Sequence, residues 1–139
     1  RRSPLTMKTF ARWEKQPDSL TLANGEAGDG VYAFFDSDRV LDLHYREPER
    51  RRVRFTLIEG ATLIDLRKRE HRSRIAEIAK EIGCGIKVTL RNMERAYWSI
   101  TTYMERHAPD CAAYIVPHIT PTTNSVQIVV RKPEAIIEL

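Results

Sequence analysis

The stretch at residues 28–45, GDGVYAFFDSDRVLDLHY, joins a strand, a cap and a helix in one compact phrase. Gly28 and Gly30 permit tight backbone geometry, and the β-prone apolar run Val31, Tyr32, Ala33, Phe34, Phe35 begins where the glycines stop. Asp36 is expected to cap the helix that follows. Ser37 and Asp38 add acceptors and negative charge in its first turn, where free N–H groups and the positive end of the dipole favour them. Val40, Leu41, His44 and Tyr45 recur at helical spacing and predict one buried face.

Outward from this phrase, KTFARW at residues 8–13 reads as a first strand. Pro17 opens a short helix through Leu20 and Leu22, which Asn24 and Gly25 close as a left-handed C-cap. After Tyr45, REPERRR at residues 46–52 forms a turn in which Pro48 stops the helix and leaves the arginines solvated. VRFTL at residues 53–57 alternates with period two as a half-buried strand, and Gly60 breaks it before the apolar run ATLIDL at residues 61–66. Residues 67–82 read as an amphipathic helix burying Ile75, Ile78, Ala79 and Ile82 and ended by Gly83. Arg67, Lys68, Arg69, Arg72 and Arg74 crowd its first half against the dipole, so either an anionic partner or a loosely ordered first turn accounts for them. A further helix over residues 92–107 carries Met93, Tyr97, Ile100 and Met104 as a core stripe, with Asn92 or Thr89 as cap and Pro109 as stop. A buried strand at residues 112–117, a polar loop at 120–125, a last strand at 126–130 and the phrase PEAI at 133–136 complete the chain.

At 139 residues there is room for one domain, assigned to residues 8–139, and the internal Met7 marks residues 1–7 as a leader or appended remnant. Apolar residues at 42% and charged residues at 30% give the balance of a soluble globular protein and exclude wholesale disorder. No apolar run reaches the roughly 18 residues of a membrane span, and RRSPLTMKTF lacks the apolar core of a signal peptide, so a cytoplasmic protein without a membrane partner is expected. Cys84 and Cys111 have no second thiol or spaced histidine nearby to make a metal site, so both are expected as small core residues and no metal is expected. Lys and Arg exceed Asp and Glu by 23 to 19, a mild tilt toward polyanions at a net charge of +4.

A strand bearing Arg12, a short helix, a glycine-bearing loop, the G-x-Y strand at Gly30 and Tyr32, and a small helix ending in Tyr45 together resemble the opening of ADP-ribosyltransferase-like domains. That fold is shared by mono-ADP-ribosylating toxins, their phage relatives and the poly-ADP-ribose polymerases. The strand, glycine turn and ATLIDL phrase are similar to the family's next segment. The closing QIVVRKPEAI at residues 127–136 is similar to its (E/Q)-x-V-V-f-x-P-x-x-I ending, so the resemblance spans most of the chain. It implies an α+β fold of small mixed or antiparallel sheets with flanking helices. It also implies an NAD-dependent mono-ADP-ribosyltransferase, which would cleave the nicotinamide–ribose bond of NAD and pass ADP-ribose to a protein or nucleic-acid acceptor.

By that resemblance Arg12 would hold NAD, Tyr32 and Tyr45 would stack around the nicotinamide, and Gln127 would contact the ribose hydroxyls, with Tyr32 and Gln127 as the catalytic pair. A guanidinium suits phosphate or ribose oxygens, although a surface arginine at a strand end accounts for Arg12 equally well. Most active members carry glutamate where Gln127 stands, and an amide brings no charge to offset an oxocarbenium-like transition state. The family's Ser or Thr after the G-x-Y strand is replaced by Ala33 and Phe34. Asp29, Asp36 or Asp38 could supply a carboxylate, but turn and cap roles explain them as well. The alternative is a catalytically silent module that binds nucleic acid or protein through one positive surface made of Arg50, Arg51, Arg52, Arg67, Lys68 and Arg72. A third is an unrelated α/β interaction domain. His44, His71 and His107 stand at no telling spacing, His118 is a binding candidate at a strand end, and no Walker or Rossmann glycine loop is present.

Overall fold

The computed structural model describes residues 8–14, 23–25, 28–83, 87–93, 96–120 and 123–139. The elements are strands β1 (Phe10–Glu14), β2 (Ala23–Gly25) and β3 (Gly28–Phe35), helix α1 (Arg39–Tyr45), strands β4 (Arg51–Leu57) and β5 (Leu63–Asp65), and helices α2 (Arg69–Glu81) and α3 (Tyr97–His107). Strands β6 (Ala113–Thr120), β7 (Thr123–Val130) and β8 (Ile136–Glu138) follow, with a 3-10 turn at Pro133–Ala135 before β8. This is an α+β architecture around an eight-stranded sheet in the order β5-β6-β7-β3-β1-β4-β8, with β2 paired to β3. All pairings are antiparallel except β5 with β6.

β3 is the joint of the sheet. Val31, Tyr32 and Ala33 pair with β7, whereas Phe34 and Phe35 pair with β1. Alternation along the strands then makes two apolar faces. Val31, Ala33, Ala113, Ile115, Ile128 and Val130 face Phe10 and Phe55 in one cluster. Tyr114, Val116 and Val129, with Tyr32 packed beside them, face the helical side, where Ile75, Ile78, Ile100, Tyr103 and Met104 lie. A third cluster of Ala11, Phe34 and Leu41, flanked by Trp13 and Tyr45, fixes α1 against β1 and β3. Gly30 belongs to this construction. A Cβ there would stand 2.5 Å from Val129 Cγ1 and 2.8 Å from the Val130 carbonyl oxygen.

Several sequence expectations are corrected. The N-cap of α1 is Asp38, whose carboxylate accepts the Leu41 N–H at 3.0 Å, because Asp36 is taken by arginines of β4. The buried residues of α1 are Leu41 and Asp42, while Val40 and His44 are exposed. Arg51 and Arg52 belong to β4 rather than to a solvated turn, and Arg52 is half-buried. Asn24 and Gly25 lie in β2, opposite Asp29 and Gly28, and not in a helix cap. Ile82 is exposed beyond the end of α2. Asn92 does not begin a helix. Its side chain accepts the Thr89 N–H at 2.8 Å and donates to the Lys87 carbonyl at 2.7 Å, closing a turn, and α3 starts at Tyr97.

The polar loop expected at residues 120–125 is mostly strand, since the β6–β7 ladder runs out to Thr120 opposite Thr123. Cys111 is buried as expected, whereas Cys84 and the short helix expected between Pro17 and Leu22 lie outside the described residues. No helix among the described residues is long and apolar enough to cross a membrane, and they contain no group of three or more His, Cys, Asp or Glu suited to a metal.

Candidate functional site

Four residues singled out in the sequence, Arg12 on β1, Tyr32 on β3, Tyr45 at the end of α1 and Gln127 on β7, line one cleft together with Trp13, Ala33, Phe34 and Arg50. Its volume is ≈ 130 Å³. The joint in β3 brings them together: Tyr32 stands in the part paired to β7, and Phe34 in the part paired to β1.

Arg12 is anchored from two sides. Its Nη1 donates to the Tyr32 carbonyl oxygen at 3.1 Å, and its Nε lies 3.1 Å from a carboxylate oxygen of Glu14, which is almost wholly buried. Burial lowers the Arg12 pKa, Glu14 resists the shift and Arg50 adds to it. The guanidinium nevertheless stays charged, because its ordinary value lies far above neutrality.

Tyr45 is the centre of a second set of contacts. Its ring lies parallel to Phe34 at 6.2 Å between centroids, and the edges of His44 and His118 meet it at 4.8 and 5.6 Å. The phenol oxygen is 2.6 Å from His118 Nε2, and Gln127 Nε2 donates to the same oxygen at 3.4 Å. An amide nitrogen can only donate, so Tyr45 accepts from Gln127, and the tautomer of His118 decides which partner donates in the bond between phenol and imidazole. The carbonyl end of the Gln127 amide is therefore the end left for a ligand. His118 is a larger part of the site than its place in the sequence indicates: it is 7% exposed and lies on the same face of β6 as Val116.

Of the carboxylates considered as substitutes, those of Asp36 and Asp38 are engaged elsewhere. Asp36 accepts from Arg52 Nη1 at 2.6 Å and from Arg54 Nε at 3.0 Å, Asp38 caps α1, and Asp29 stands in β3 opposite Asn24. The cleft lining thus carries two guanidiniums, Arg12 and Arg50, and no carboxylate among the described residues.

The six residues expected as one basic surface divide into two groups. Arg50, Arg51 and Arg52 lie at the start of β4, and Arg67, Lys68 and Arg72 at the start of α2 after β5, with β6, β7, β3 and β1 between β5 and β4 in the strand order. In the first group Arg50 meets Glu47 at 3.2 Å and Arg51 meets Glu138 at 3.9 Å, while Arg52 is held by Asp36 and by Asp42. In the second, Asp65 grips Arg67 with both oxygens at 2.8 and 2.9 Å, and Arg72 donates to the Arg67 carbonyl.

Residues that the sequence reading did not assign to the site are Trp13, Glu14 and Asp42. Trp13 lines the cleft and sends its Nε1–H to Asp42 at 3.0 Å. Asp42 also accepts from Arg46 and Arg52, each at 2.7 Å. The alternation Phe10, Arg12, Glu14 against Ala11, Trp13 on β1 was the available signal. Comparison of the chain with protein-family models, with curated proteins and with solved structures finds no match.

Proposed function

We propose that this chain is an ADP-ribosyltransferase-like protein whose cleft binds the nicotinamide end of NAD and cleaves the nicotinamide–ribose bond, passing ADP-ribose to an acceptor. One observation carries the reading: Arg12, Tyr32, Tyr45 and Gln127, from four separate elements, line a single cleft. A cleft of ≈ 130 Å³ is well below the roughly 300–1,000 Å³ of sites that enclose a whole drug-sized ligand, so it suits one ring of the dinucleotide. The remainder of the dinucleotide would lie along the rim, where Arg12 and Arg50 offer charge to its phosphates.

In the reaction, nicotinamide leaves as the neutral base with the bonding electron pair. The acceptor's lone pair forms the new bond to ribose C1′, and its proton passes to solvent. The positive charge that develops on the ribose must be stabilised by dipoles. The Gln127 carbonyl is fixed for this by its bond to Tyr45, and preorganised dipoles gain strength in a site from which water is excluded. Tyr32 and Tyr45 would flank the nicotinamide, with Tyr45 held in place by Phe34 and His118.

A second reading is favoured by the lack of a carboxylate among the described lining residues: a module that binds NAD without transferring it. Incubation with NAD labelled on the adenylate, alone and with a cell lysate, separates the two. Transfer predicts free nicotinamide and label on an acceptor, and a silent module predicts stabilisation by NAD without nicotinamide release. Binding should raise the melting temperature by mass action, and Arg12→Ala should remove that rise. Absence of any NAD-dependent stabilisation or cleavage contradicts both readings.

A further inference from the structure

A second concavity, ≈ 630 Å³, lies between α1 and the outer face of β4, and Arg39, Arg46, Arg52 and Arg54 meet Asp36 and Asp42 in its walls. Four guanidiniums against two carboxylates leave its lining at about +2, an excess that seeks an anion. Both oxygens of each carboxylate are already engaged. Asp36 takes Arg52 on one oxygen and Arg54 on the other, and Asp42 takes Trp13 and Arg52 on one oxygen and Arg46 on the other. They therefore act as struts that aim the guanidiniums.

Arg46 spends one Nη on Asp42 and Arg54 spends its Nε on Asp36, so each keeps further N–H groups directed away from its strut. Arg39 makes no hydrogen bond or ion pair among the described residues and is exposed. Two of the guanidiniums are also stacked, Arg46 over Trp13 at 5.6 Å and Arg52 over Phe34 at 5.9 Å, which lowers the entropy lost when an anion binds.

We propose that this pocket seats phosphate groups of a nucleic-acid strand. Fixed guanidinium forks match phosphate oxygens in a way that a point charge does not. A strand fits better than a lone phosphoryl group because the pocket is several times larger than one phosphate requires, and because its guanidiniums with N–H groups to spare, Arg39, Arg46 and Arg54, are spread along its walls. The inference stands apart from the NAD reading. Trp13 is the wall between the two concavities, with its ring on the cleft and its Nε1–H on Asp42.

The test is fluorescence anisotropy of a labelled single-stranded oligonucleotide titrated with the whole protein over a series of salt concentrations. Arg39→Gln and Arg54→Gln change exposed side chains and leave the Arg52 struts in place. Binding should appear at low salt and weaken linearly on logarithmic axes. Each substitution should weaken it about fivefold or more and reduce the salt slope by about 0.7, the value for one single-strand phosphate contact. The double variant Arg67→Gln, Lys68→Gln at the other edge of the sheet should bind as the wild type does. Three results would overturn the proposal: no binding at low salt, binding undiminished in Arg39→Gln and Arg54→Gln, or equal losses in the Arg67 and Lys68 variant. Displacement of the oligonucleotide by inorganic phosphate or a phosphopeptide at the strand's own concentration would also overturn it, in favour of a phosphomonoester site.

Discussion

The phenol of Tyr45 and the imidazole of His118, 73 residues apart in the chain, are joined by a 2.6 Å hydrogen bond at the edge of the candidate cleft. Helix α1 is only seven residues long, too short to be stable alone, so its position depends on such contacts and on Leu41. Tyr45→Phe keeps the ring against Phe34 and removes both bonds to the phenol oxygen. We expect a loss of about 1–2 kcal/mol in denaturant unfolding, and weaker NAD-dependent stabilisation in thermal melts because Gln127 is then free to turn. If Tyr45→Phe matches the wild type in both measurements, Tyr45 does not organise the site.

The paired carboxylates make stability depend on acid. Burial raises the pKa of Asp36 and of Asp42, but the hydrogen bonds from their arginines outweigh it and hold both below the ordinary 3.8. A native pKa below the unfolded one means that the unfolded chain binds more protons as the pH falls. The stabilisation is present above about pH 4 and disappears as the pH drops through the native values. Asp42→Asn should cost about 1–3 kcal/mol at neutral pH and flatten the acid limb of the melting curve against pH. An unchanged acid limb would show that the carboxylate is not ion-paired in solution.

Gly30→Ala tests the β3–β7 contact. The new Cβ meets Val129 Cγ1 and the Val130 carbonyl oxygen on the facing strand, and the backbone there has no free rotation with which to yield. A loss of about 1–3 kcal/mol is expected, seen as a lower urea midpoint at unchanged slope. Unaltered stability would mean that the two strands are not in this register.

Much of the fold could be read from local pattern. Val53 and Phe55 are buried between the outward Arg52 and Arg54, as period two requires, and Ile75, Ile78 and Ala79 form the inner face of α2. The failures share a cause, which is that a partner distant in sequence decided between locally equivalent choices. Asp36 and Asp38 are equally good caps, and Arg52 and Arg54 on another strand claimed the first. Thr and Asn suit a loop, yet the cross-strand ladder carried Thr120 and Thr123 into β6 and β7. Arg12, Tyr32, Tyr45 and Gln127 were singled out through a resemblance, and what the structure adds is that they line one cleft. His118 and Trp13 had no such guide, since the contacts that define them are made only on folding.

Gln127→Glu probes the missing charge. A carboxylate in place of the amide would have to accept from Tyr45, so the phenol proton would point to Glu and His118 would be the donor to the phenol oxygen. The added negative charge should raise NAD cleavage about tenfold or more, equivalent to roughly 1.4 kcal/mol of barrier. Gln127→Ala should lower it. Equal nicotinamide release from all three proteins would place the reacting ribose elsewhere.

The central claim is that the cleft between Trp13, Tyr32, Tyr45 and Gln127 binds the nicotinamide end of NAD. Trp98 is the other of the two tryptophans and is 69% exposed, so Trp98→Phe leaves Trp13 as the single indole reporter in the cleft wall. Titration of that protein with NAD, followed by Trp13 emission, should give saturable quenching that free nicotinamide competes away and that Arg12→Ala weakens strongly. Trp13 emission unaffected by millimolar NAD, in a protein whose melting curve shows it to be folded, would contradict the account.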